Sequence, residues 1–178
     1  MKRMSLLQRL LGTGRDPRET ARPLWHRVVE ISREPHWYAA EGVTDSVPGR
    51  FDMITLVLAL VLLRLDGEQN TAQTSAWVTE LFVDDMDGQL RQSGVGDMVV
   101  GKHIGKLVSV LGGRIGALRK AFAPEADGGG EDTLQAALTR NVTLVDGASP
   151  AALALAIRTL REKLAATPVK AVLAGDIA

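Results

Sequence analysis

The sequence predicts an all-α fold, a single-domain bundle of about six to eight helices. Three observations predict it. Apolar residues recur at three- and four-residue spacing along most of the chain. Helix starts and stops are marked by proline, glycine and capping residues. No stretch shows the sustained alternation between hairpin turns that strands require. The 178 residues fit one domain, which at this size buries roughly 70% of the surface its unfolded chain exposes.

The elements follow in order. Leu6, Leu7, Leu10 and Leu11 recur at helical spacing among Lys2, Arg3, Arg9 and Arg15, so residues 1–15 read as a short basic amphipathic helix. Such a helix suits the surface of an anionic membrane, with Lys2, Arg3, Leu6, Leu7 and Leu10 as the contact; docking on the domain is the alternative. Asp16-Pro17-Arg18-Glu19 reads as a capped helix start. The helix after it presents Ala21, Leu24, Trp25, Val28 and Ile31 or Ser32 to a core, with Pro23 bending its start. Glu34-Pro35 ends it, one short helix extends to Glu41, and Gly42 stops that.

Residues 43–49 read as a loop before a helix from about Phe51 to Leu65. That helix holds the longest apolar stretch, Met53–Leu63. Eleven residues fall short of the roughly 20 a membrane span needs, so it is a buried core helix. Asn70 or Thr71 caps the next helix, which runs to about Gln92 with Trp77, Val78, Leu81, Phe82, Met86 and Leu90 as its apolar stripe. Asp97 caps a helix from Met98 to Phe122, Thr133–Val142 forms a shorter one, and Ser149-Pro150 starts another that ends before Thr167-Pro168. The expected division is the N-terminal helix at 1–15, the helical domain at 16–166 and a C-terminal tail at 167–178.

The chain has no cysteine, which excludes thiolate catalysis, zinc–thiolate sites and disulfides. Lys plus Arg and Asp plus Glu both number 21, so there is no overall electrostatic footprint for nucleic acid. The charge is uneven: +5 over residues 1–33, −7 over 41–97 and +5 over 98–122. No cleavage-type small-residue site follows the first helix, so no secretory signal is expected.

Candidate catalytic sites fail one by one. Gly96 to Lys102 has the spacing of a phosphate loop, but His103 stands where a magnesium-binding hydroxyl is needed, and Gly101 and Lys102 fall inside a helix. Asp84, Asp85 and Asp87 form the densest carboxylate cluster. Helical isoprenoid enzymes hold magnesium and diphosphate with two facing acidic motifs, and no second one is present. His26, His36 and His103 lack partners at metal-binding spacing, although one histidine suffices as an axial haem ligand. No metal or cofactor is expected, and no nucleophile elbow is present.

The Met98–Phe122 helix carries the most informative pattern. At about 100° per residue, Gly101, Gly105, Ser109, Gly112 and Gly116 share one side. Val100, Ile104, Leu107, Leu111 and Leu118 lie about a third of a turn away, and Lys102, Lys106 and Lys120 occupy the other flank. Each interior glycine costs about 1 kcal/mol relative to alanine. Close approach by another helix would offset that, either within the bundle or from a partner seated in a smooth groove.

Several stretches together resemble the ubiquinol–cytochrome c chaperone family. They are Arg33-Glu34-Pro35-His36-Trp37-Tyr38 with Gly42-Val43-Thr44-Asp45, then Gly49-Arg50-Phe51-Asp52-Met53, then Phe82-Val83-Asp84-Asp85-Met86-Asp87 with Leu90-Arg91 and Gly94-Val95-Gly96-Asp97. Arg140-Asn141-Val142 is a weaker fourth. The resemblance spans about residues 20–160 and assigns the family's domain to 16–166. It implies a non-catalytic helical assembly factor that binds newly made cytochrome b, with a small helical partner protein and ribosome contact in mitochondrial relatives. Without a long organelle-targeting extension the chain reads as the bacterial form, cytoplasmic or peripheral at the inner membrane. Asp45, Gly49, Arg50, Phe51, Asp84, Asp85, Asp87, Arg91, Gly94 and Asp97 are the motif residues, with Arg50 and Arg91 expected to order the acidic Asp84–Asp87 turn. The alternatives are a helical module for haem, quinone or lipid, and a magnesium-dependent isoprenoid-type enzyme.

Overall fold

Helix α3, Val47–Leu65, is the axis of the bundle, because its sequence is almost wholly apolar from Met53 to Leu63. Every residue from Asp52 to Val61 is buried, as expected of a helix apolar all round. The computed structural model describes residues 16–92, 100–124 and 128–177; side chains at 90–92 and 100–103 are outside that description. Around α3 stand α1 (Arg22–Ser32), α2 (His36–Ala39), α4 (Ala72–Gln92), α5 (Val100–Ala121), α6 (Glu131–Asn141), α7 (Ala151–Ala166) and α8 (Val169–Ala174). α1, α4, α5 and α7 all pack on α3. Among the described residues there is no strand, only an isolated antiparallel bridge between Val43 and Leu144, and the fold is all-α.

The chain enters through a 3-10 turn, Pro17–Ala21, whose N–H at Arg18 is capped by Asp16 at 2.9 Å. Ala21, Leu24, Trp25, Val28, Ile31 and Ser32 are buried, the face predicted from their spacing. Beyond Pro35, the aromatic pair of α2 folds back on the end of α1. Trp37 Nε1 donates to the Ile31 carbonyl at 2.6 Å, and the Tyr38 hydroxyl donates to the Ser32 carbonyl at 2.7 Å. These bonds satisfy acceptors that a helix C-terminus leaves open.

α3 begins four residues before the expected Phe51. Ser46 Oγ accepts from the Gly49 N–H at 3.2 Å, and Pro48 occupies the first turn. Gly49 makes this early start feasible, since a Cβ there would lie 2.0 Å from the Thr44 carbonyl oxygen. Thr71 closes the other end, its hydroxyl donating to the carbonyls of Leu65 and Glu68 at 2.9 and 2.8 Å.

The last residues, ambiguous in sequence, form α8 and lie against α1. Val172 and Ile177 are buried, and Arg27 Nε donates to the Ile177 carbonyl at 3.0 Å. Gly175 is left-handed at φ 78°, and a Cβ there would sit 2.6 Å from the Pro23 carbonyl oxygen. Among the described residues no helix is long and apolar enough to cross a membrane.

Candidate functional site

α5 faces two ways. Leu107, Leu111 and Leu118 are buried toward the core, on the stripe their spacing predicts. Gly105, Ser109, Gly112 and Gly116 are exposed, as is Lys106. A Cβ built at Gly105, Gly112, Gly113 or Gly116 meets nothing within 4 Å among the described residues. Of the two readings of the glycine side, packing within the described bundle is therefore not the one observed. Among the described residues the face lies open, with Val108 46% exposed beside it. Gly101 and Lys102 lie in the first turn of the helix, and their side chains fall outside the description. Gly94, Asp97 and the N-terminal Lys2, Arg3, Leu6, Leu7 and Leu10 lie outside the described residues altogether.

The inner side of α5 holds a feature the sequence reading missed. Arg114 is 5% exposed and forms a buried ion pair with Asp52 Oδ1 on α3. Its Nη1 donates to the Asp52 carbonyl at 2.7 Å and also to the Thr55 hydroxyl. The second carboxylate oxygen of Asp52 accepts from the Thr143 N–H at 2.8 Å and the Thr143 hydroxyl at 2.7 Å. The Arg114 guanidinium also lies 5.8 Å from the centre of the Phe51 ring. One network thus joins α3, α5 and the turn after α6, bringing Phe51-Asp52 beside Arg140-Asn141-Val142. The signal was present: Leu107, Leu111, Arg114 and Leu118 form one stripe of threes and fours, and an arginine on such a stripe requires a buried acceptor.

Two carboxylates of the acidic cluster on α4 have partners within the fold. Asp84 Oδ2 pairs with Arg18 at 2.6 Å, and Asp85 Oδ2 accepts from Trp25 Nε1 at 2.7 Å. The expectation that Arg50 orders this cluster is corrected: Arg50 Nε pairs with Asp45 at 2.7 Å, five residues away, and Arg18 takes the role. The short reach within the α3 entry turn favours the local partner. Hydrogen bonding to Arg50 holds the Asp45 carboxyl below the usual carboxylate range. The Arg91 side chain lies outside the described residues. No cluster of three or more His, Asp or Glu that could hold a metal occurs among the described residues.

His26 is exposed. His36 stands with its Nε2 3.1 Å from Glu34 and its Nδ1 3.6 Å from Glu41, its ring 4.0 Å from that of Trp37. It borders a groove of about 390 Å³ whose apolar lining includes Ile31, Trp37, Ala156 and Leu160. The groove is open to solvent along Leu155, which is 68% exposed.

Taken together, the described residues form an all-α bundle that presents an uncovered helix face beside a buried polar network. The chain belongs to the ubiquinol-cytochrome C chaperone family, whose sequence profile matches residues 39–178. It is similar to the Cbp3 homolog from Brucella abortus, known from a crystal structure, with 29% sequence identity and a TM-score of 0.77. That likeness covers 98% of this chain and 96% of the homolog. No curated protein matches the sequence.

Proposed function

We propose that this chain is a non-catalytic assembly chaperone for ubiquinol–cytochrome c reductase, and that it holds newly made cytochrome b on the outer face of α5. Family membership and the likeness to the Brucella Cbp3 homolog support the assembly role. One observation carries the binding face. Gly105, Gly112 and Gly116 carry no side chain, and nothing described stands over them. Each of these glycines costs about 1 kcal/mol of helix stability relative to alanine, and no contact in the described bundle offsets it. A client helix would, because glycine lets two backbones approach closely.

Gly101, Gly105, Ser109, Gly112 and Gly116 form the seat, and Lys102 and Lys106 stand at its rim. A hydrophobic segment in this seat needs no reacting group, only shielding from water until it is inserted. The N-terminal Lys2, Arg3, Leu6, Leu7 and Leu10 bring this cytoplasmic chain to the anionic membrane where its client goes. A small helical partner protein or the ribosome supplies the nascent chain in this scheme.

Affinity capture of the tagged chain from crosslinked cells, followed by mass spectrometry, tests the proposal. Enrichment of cytochrome b is expected. Its repeated absence while other membrane proteins are captured would sink the reading.

A further inference from the structure

The open face of α5 runs into a second surface of different character. A groove of about 530 Å³ is lined by Ser109, Val110 and Gly113 of α5 and by Arg140, Asn141 and Thr143 across from them. Ser109 belongs to both surfaces, so they are continuous. Asp52 and Arg114 also line the groove, and their charges cancel.

The cations around it are not cancelled. Arg140 is exposed in the last turn of α6 and has no carboxylate partner among the described residues. Lys106, one helical turn before Val110, has none either. The Arg114 Nε also lacks an acceptor among the described residues, but it is buried and faces the core network rather than a ligand. Through Arg140 and Lys106 the groove carries excess positive charge at the border of an apolar seat.

We propose that this groove receives the carboxylate of an acidic side chain that follows the apolar helix held on the glycine face, with Arg140 as its bidentate partner. The proposal rests on the glycine-face reading. A smooth glycine seat has no features to set the register or direction of a helix lying on it. One charge pair at a fixed place sets both, because the reversed helix would leave Arg140 unmatched. A guanidinium fork fits a carboxylate through two parallel hydrogen bonds, and a half-open groove leaves the pair partly hydrated, avoiding the penalty of full burial.

The test uses the full chain and three labelled helical peptides of roughly 20 residues. Their apolar sequence is identical, and each ends in Glu, Gln or Lys before an amidated terminus. Fluorescence anisotropy is expected to show the Glu peptide binding about fivefold tighter than the Gln peptide, and the Lys peptide weakest. Arg140→Gln should erase the Glu advantage and leave the Gln peptide unchanged. Equal binding of Glu and Gln peptides, both weakened by Gly112→Leu, would overturn this inference alone. Failure of all three to bind, or binding indifferent to Gly112→Leu, would overturn the glycine face and this inference with it. A Glu advantage that survives Arg140→Gln would place the carboxylate elsewhere and overturn the assignment.

Discussion

Arg114 of α5 and Asp52 of α3 form a buried ion pair whose far side is closed by Thr143. Removing one partner leaves the other charged, buried and unmatched. Arg114→Ala should therefore lower the free energy of unfolding by about 3–5 kcal/mol, a large share of a typical domain's stability. Arg114→Met combined with Asp52→Asn should recover part of it, because no lone charge remains and Asn can still accept from Thr143. Equilibrium urea denaturation checks both; a double variant less stable than Arg114→Ala would contradict the account.

The acidic cluster divides into two roles. Trp25 is buried, and its indole N–H relies on Asp85. Asp85→Ala leaves that donor unmet and should cost about 1–3 kcal/mol. Asp84→Ala removes only a surface partner of Arg18 and should leave the unfolding midpoint nearly unchanged. Thermal unfolding of the two variants side by side measures the difference.

The glycines differ by what surrounds them. Gly105→Ala and Gly112→Ala add a methyl where nothing described stands within 4 Å, so each should stabilise α5 by about 1 kcal/mol. Gly49→Ala drives a methyl into the Thr44 carbonyl oxygen and should destabilise. Melting temperatures that rise for the first two and fall for the third are the expected pattern.

Acid should weaken the fold through three surface carboxylates. Asp16 is held below the usual carboxylate range by its hydrogen bond to Arg18, Asp45 by Arg50 and Glu131 by Gln135, with Arg158 adding to the last. The folded chain thus binds these protons only at lower pH than the unfolded chain does. Their contribution is complete above the ordinary carboxylate range and is lost as pH falls through the depressed folded values. Being exposed, the pairs are screened by salt. Melting temperature against pH should fall less steeply in Arg18→Gln/Arg50→Gln, and less steeply at high salt.

Much of this was legible in sequence. Proline, glycine and capping residues marked most helix limits, and the apolar run through Met53–Leu63 marked the central helix. α3 starts earlier than expected because Ser46 caps it and Pro48 fits its first turn, a local signal hidden among the turn formers of residues 43–49. The Arg50 partner was misjudged for a related reason. Three carboxylates within four residues attract attention, while a single Asp45 within reach of the same turn wins by proximity. Arg114 could have been placed from its stripe, but Asp52 and Thr143 are 62 and 91 positions from their respective partners Arg114 and Asp52, and only the fold brings them together. The glycine side of α5 was visible as a pattern, whereas its openness was not.

The central claim is that this open face holds cytochrome b. Capture of cytochrome b from crosslinked cells should be compared between the native chain and Gly105→Leu/Gly112→Leu, with helicity verified by circular dichroism. The account predicts full helicity and lost capture in the variant. Undiminished capture by the folded variant would contradict it.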